Sequence, residues 1–203
     1  MAVPPSSLPD VPERLLDDGG WTLVEEREET LFRLPTARVR GYTTLYEDGD
    51  LREGIERVAD VDRQWRFFFA TRLSFIPPLA PGVGPAMLTP TVQSEARRRF
   101  ADDLRERGFE AVSRGRTERI RVRSGGRAYL QSFEARLPVG VAGVETVDVE
   151  GWLGVWTTTG EFRLAGGAYP TDLPGLGDAL GVPDLPDASE CREELWRLIR
   201  AVE

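Results

Sequence analysis

Between residues 63 and 75, large apolar side chains alternate with polar ones. Trp65, Phe67, Phe69, Leu73 and Phe75 fall on one side of the count, Gln64, Arg66, Arg72 and Ser74 on the other. A period of two marks a half-buried antiparallel strand. Phe68 interrupts the polar side, so part of the second face is expected to be covered as well. The period then changes. Val92, Ala96, Phe100 and Leu104 recur every fourth residue, which makes a helical stripe. Gly108 is placed to end that helix in a left-handed conformation, with Phe109 folding back as its apolar contact.

Weaker signals fill in the rest. Asp10 and Glu13 form a capping-box pattern ahead of Leu15 and Leu16, and Gly19-Gly20 closes that short helix. Segments 21–27, 30–34 and 37–46 read as strands. Asp48-Gly49 turns the chain, and Asp50 opens a helix carrying Leu51, Ile55 and Val58. Residues 76–90 read as a proline-rich loop. Strands are expected at 110–114, 117–123 and 127–137, the last two joined at Ser124-Gly125-Gly126. A second hairpin spans 146–157 and 161–168 around Thr159-Gly160. A Gly/Pro-rich stretch, 170–186, precedes a capping box at Asp187 and Glu190. The final helix then lines up Cys191, Leu195, Leu198, Ile199 and Val202. Hairpins dominate and no βαβ alternation is sustained. The expectation is an α+β fold over 1–203: one globular domain, a mostly antiparallel sheet, and helices packed on one or both faces.

Charge changes the picture in two ways. The 203 residues carry a formal charge of −8, and all 26 cations are arginine, with no lysine or histidine. Such an acidic, lysine-free composition points to salt adaptation and argues against bulk attraction to nucleic acid or membranes. The charge is also uneven. Residues 94–136 hold 12 arginines against 7 acidic residues, a local excess of +5. The single cysteine, Cys191, excludes an intrachain disulfide and fits a reducing compartment. Residues 1–5 show no signal-peptide pattern, and the uncharged stretch 73–93 is broken by five prolines. A cytoplasmic location is the resulting expectation.

The residue inventory removes much chemistry. Without histidine there is no imidazole base or Ser-His-Asp triad. Without lysine there is no Schiff base and no phosphate-loop lysine. One cysteine and no histidine rule out zinc sites built from those groups. No cofactor or metal is expected. Carboxylates remain. Asp148 and Glu150 share one strand face with Trp152 and Trp156, and a carboxyl beside an indole can act as an acid. They are the candidate catalytic pair of a hydrolase-like or isomerase-like alternative, set against a solvated strand face.

Three features can carry binding. The 76–90 segment presents Pro77, Pro78, Leu79, Val83, Met87 and Leu88 with no charge; it either covers the core or docks a partner or apolar ligand. Trp152 and Trp156 either floor a cleft or fill the layer under a helix. Arg97 and Arg98 on the central helix, with Arg119, Arg121 and Arg123 on one strand face, form an anion- or nucleic-acid-binding alternative. That alternative requires them to share one exposed surface. The leading expectation is a non-catalytic binding or accessory domain that engages a protein partner or apolar ligand through 76–90 and the adjacent sheet.

Several of these features together resemble a known kind of protein. Gly20-Trp21 opens a strand, a tyrosine-bearing strand ends near Tyr46, a proline-rich segment precedes the central helix, and Gly166-Gly167-Ala168-Tyr169-Pro170 precedes the last helix. The combination looks like uncharacterised haloarchaeal proteins classed as domains of unknown function, which implies no assigned activity. The element order is also similar to the PsbP-like photosystem accessory proteins and the Mog1-like Ran-binding proteins. That likeness implies an antiparallel sheet between helices and a role in binding other proteins.

Overall fold

The structure is a computed structural model that describes residues 7–80 and 82–203. Residues 1–5 and Pro81, which entered the reading above, lie outside them. The elements in chain order are α1 (Glu13–Asp18), β1 (Trp21–Arg33), β2 (Arg38–Asp48), α2 (Gly49–Ala59), β3 (Phe67–Ile76), α3 (Pro85–Glu106), β4 (Glu110–Arg121), β5 (Arg127–Val141), β6 (Val144–Thr158), β7 (Glu161–Pro170), α4 (Leu173–Leu180) and α5 (Ala188–Ala201). The seven strands form one antiparallel sheet in the order β1-β2-β3-β7-β6-β5-β4. β1 and β4 are its edges.

Helices cover both faces. A side chain at Gly151 would point at Phe100 of α3, and one at Gly154 would point at Ile199 of α5. Neighbours in a strand face opposite ways, so these two positions fix α3 and α5 on opposite sides of the sheet. This explains why Phe68 breaks the polar alternation: it is fully buried, as is Phe67 beside it. The central helix holds as expected, with Val92, Ala96, Phe100 and Leu104 all buried. Its end is a Schellman closure. Phe109 N–H donates to Leu104 O at 3.0 Å, Gly108 N–H donates to Arg105 O at 3.0 Å, and Gly108 sits at φ +88°. The α5 capping box is present too: Asp187 accepts from Ser189 and Glu190, and Glu190 reaches back to Asp187 N–H.

Several boundaries depart from expectation. The 76–90 segment is not all loop. α3 begins at Pro85, so Met87, Leu88 and Pro90 are helical. Pro85 suits the first turn, where its missing N–H would have no partner, whereas Pro90 lies inside the helix and removes one backbone donor. Segments 21–27 and 30–34 are one bulged strand, because Glu28 and Glu29 are held in the ladder by Arg40, Arg27 and Arg99. Segments 110–114 and 117–123 also merge. Gln131 Nε2 donates to Gly115 O at 2.9 Å and to Arg116 O at 3.2 Å, which keeps the bulge extended. The cap of α2 is Asp48, which accepts from Leu51 N–H, rather than Asp50. Asp10 does not cap α1, whose N-cap is Pro12; its backbone pairs with Glu203 instead. The 170–186 stretch contains the two-turn helix α4, capped by Asp172. β3 starts at Phe67, four residues later than the alternation began.

Candidate functional site

On the α3 face the helix packs against β4, β6 and β7. The β1–β3 part of the same face is left to line a cleft along the helix flank. Its walls are apolar: Leu31 and Phe32 from β1, Leu45 from β2, Phe67 and Phe69 from β3, and Phe100 from α3. Phe69 and Phe100 meet with ring centroids 5.7 Å apart, and Phe100 meets Phe133 at 4.9 Å. The cavity between them is about 50 Å³. Since a water needs roughly 10–15 Å³ on this measure, it has room for a few waters or a ligand of a few heavy atoms.

Two polar features shape the cleft. Thr43 and Thr71, on adjacent strands, are buried with their hydroxyls 2.8 Å apart, so each satisfies the other. The rim is ionic. Arg99 pairs with Glu29 and Asp103, each at 3.0 Å, and Arg27 pairs with Glu29 at 3.1 Å. Arg107 lies 4.7 Å above the Phe67 ring and donates to Gln64 Oε1 at 2.6 Å. Burial pushes the Asp103 carboxyl above its ordinary range against the pull of Arg99 and Arg27. Burial likewise lowers Arg107, with Arg27 adding to the effect. An apolar pocket with a ring of fixed charges at its rim can hold a small ligand and orient it.

The residues singled out from sequence are dispersed. Trp152 and Trp156 are buried on the α5 face, and Trp152 packs edge-on to Trp196 at 5.1 Å; they fill the layer under the helix. Asp148 and Glu150 are engaged by different partners. The Asp148 side chain is 75% exposed and sits 3.5 Å from Arg136. Glu150 is held by the Tyr169 hydroxyl and by Arg116 at 3.5 Å. Pro77 and Pro78 are exposed, Leu79 and Val83 half-buried, and Met87 is 68% exposed. Leu88 alone of this set packs on the core. Pro78 and Leu79 border a shallow hollow with Tyr42 and Phe75.

The arginines divide. Arg97 and Arg119 line one hollow with Tyr129, and Arg121 follows Arg119 on the same strand face. Arg98 turns aside to Glu95 and Asp102, while Arg99 joins the cleft rim. Arg123 lies beyond β4, its N–H donating to Arg200 O at 2.8 Å. The set does not therefore form one face. Sequence reading missed Arg192, Arg197 and Arg200, which line a second hollow with Arg116 and Trp196. The i, i+4, i+8 spacing of Arg192, Trp196 and Arg200 was the available signal.

Residues 8–203 match the family described as Domain of unknown function (DUF6517). The chain belongs to that family. No curated protein and no solved structure matches it. No helix among the described residues is long and apolar enough to cross a membrane. No cluster of three or more acidic or cysteine side chains suited to a metal ion is found among them.

Proposed function

We propose that this member of DUF6517 is a non-catalytic binding domain whose ligand is a small apolar molecule held between α3 and strands β1–β3. The observation that carries the reading is the cleft itself: aromatic and aliphatic walls, a mutually satisfied hydroxyl pair, and a rim of paired charges. The carboxylate-enzyme alternative loses support because Asp148 and Glu150 are engaged by different partners. The salt-adapted, haloarchaeal reading rests on the −8 charge and the absence of lysine.

A chemical-shift titration with dissolved xenon, small enough for a cavity of about 50 Å³, tests the binding reading. Saturable shifts confined to Leu31, Leu45, Phe69 and Phe100 are expected, and Leu31→Trp, which fills the cleft, should remove them. Unchanged spectra at saturating xenon, or equal shifts in the variant, would refute it.

A second reading has its own observation. Pro77, Pro78 and Met87 are exposed apolar groups, and Pro78 borders the hollow lined by Phe75 and Leu79. They suit docking of a protein partner. Replacing 79–83 with a Gly/Ser linker should leave xenon shifts intact while abolishing capture of a discrete partner. Capture that survives the replacement rules this reading out.

A further inference from the structure

Edge strand β4 is exposed along its whole length except at Val112, which is half-buried, and Ile120, which is buried. It gathers arginines from three elements. On the α3 side stand Arg97, Arg114, Arg119 and Arg121; on the α5 side stand Arg116, Arg192, Arg197 and Arg200. Arg123 ties the end of β4 to the end of α5, so the two groups meet round one edge. Of the eight, only Arg116 makes an ion pair among the described residues, with Glu150 at 3.5 Å and Glu118 at 3.8 Å. Arg97 and Arg114 are close enough for the second to depress the first, on top of burial. Glu118 and Glu193 share these hollows and offset only part of the charge, so arginine remains in excess on a protein of net charge −8; like charges so crowded are unfavourable unless a further anion neutralises them.

The opposite edge differs. In β1, Glu25, Glu28 and Glu29 are already matched by Arg27, Arg40 and Arg99. Of the four β1 carboxylates only Glu26 has no ion pair among the described residues, so a second copy offers β4 one free acidic group rather than an acidic edge. The belt also carries two aromatic rings. Tyr129 is 40% exposed with Arg119 4.9 Å above it, and Arg200 lies 5.6 Å from the Trp196 ring. Alternating cations and aromatic faces suit a chain of phosphates and bases better than a chain of carboxylates.

We propose that the β4 edge, with the facing ridges of α3 and α5, binds single-stranded nucleic acid without sequence preference. The arginines contact phosphates on both sides of the strand, and Tyr129 and Trp196 provide stacking platforms. A flexible single strand can follow arginines round an edge, whereas a duplex presents its phosphates on a stiff cylinder.

Fluorescence anisotropy with labelled single-stranded DNA and RNA of about 20 nucleotides, longer than a typical site, tests this across a salt series. Affinity should fall steeply with salt. R119E/R121E and R192E/R200E, on opposite sides of the edge, should each weaken binding by about tenfold or more and flatten the salt slope by about 1–2. R33E/R57E, at exposed positions on β1 and α2, should match wild type. Melting curves establish that each variant is folded, and the two reversals are independent, so loss of one fold leaves the other test standing. Absence of binding at the lowest salt, or reversals without effect, overturns the proposal. Displacement of the oligonucleotide by polyglutamate as readily as by unlabelled oligonucleotide also overturns it, and assigns the belt to an acidic protein segment.

Discussion

Arg66, at the approach to β3, and Glu194, on α5, are 128 residues apart in sequence, and their side chains meet at 2.5 Å. The other arm of the Arg66 guanidinium donates to Asp48 at 2.6 Å, and Trp21 Nε1 donates to Glu194 at 2.9 Å. Arg66 and Asp48 are 4% and 6% exposed. This cluster joins the end of β2, the cap of α2 and the α5 layer. Removing one partner of a buried pair strands the other charge, at a cost of about 3–5 kcal/mol. Arg66→Met should therefore lose about that much in urea unfolding. Burial already pushes the Asp48 carboxyl up, with Arg66 opposing it. Without Arg66 the folded pKa rises further above the unfolded one, so the folded state binds the extra proton. The variant should regain stability as pH falls through that folded pKa. A deficit that is flat with pH would contradict this account.

Asp187 should show the opposite pH sign. The Ser189 hydroxyl and the backbone N–H groups of Glu190 and Ser189 hold its carboxyl below the ordinary range. A depressed carboxylate stabilises above its unfolded pKa and loses that contribution as pH falls through the folded one. Asp187→Ala should melt below wild type at neutral pH. The difference should shrink as pH drops below about 4, the ordinary carboxylate value.

Cys191 should be chemically silent in the native protein. Burial pushes its thiol up to about 11, despite the nearby Arg66. Only the thiolate reacts. Iodoacetamide at about pH 8, about half a unit under the ordinary thiol pKa of about 8.5, should leave the folded chain unmodified and alkylate it fully in guanidinium chloride. Rapid labelling of folded protein would show that α5 opens.

Gly167 should not tolerate a methyl group. Its added Cβ would lie 2.1 Å from Phe67 O, a backbone atom of the paired strand. Gly167→Ala should cost about 3 kcal/mol, at the upper end of overpacking. Gly54, whose Cβ would meet nothing, is the control: Gly54→Ala should be neutral or stabilising.

Melting temperature should rise from low to molar salt. The −8 charge repels itself, and screening contracts to roughly 3 Å at 1 M. Equal melting points would remove the basis for salt adaptation.

The elements that sequence disclosed best are those with local signals. The α3 stripe, the Gly108 closure, the Thr159-Gly160 turn and the Asp187 box each depend on residues within a few positions of one another. What failed depended on distant partners. Glu28-Glu29 looks like a strand break until Arg40 and Arg99 are placed beside it. Asp48 and Asp50 are equivalent as caps until Arg66 draws Asp48 inward. The start of α3 was hidden by Pro85, which a first turn accepts, and by Pro90, which lies inside the helix. The cleft was illegible because its walls come from β1, β2, β3 and α3, whose residues acquire a common surface only when the sheet pairs. Arg192, Arg197 and Arg200 looked like the solvated side of a helix, since nothing local announces that α5 lies beside β4.

The reciprocal bonds between Asp10 and Glu203, N–H to O at 3.1 Å and 3.0 Å, bring these two residues side by side from opposite ends of the fold. In topological terms the backbone is almost a ring, and where that ring is cut matters less than that it is cut outside the sheet. Bridging 8 to 203 with a short linker and opening the chain at Thr159-Gly160, an exposed turn, should give a permuted protein with the same sheet. The new ends would then emerge at the β6–β7 turn, leaving the α3 cleft and the β4 edge both free for labels or surface attachment.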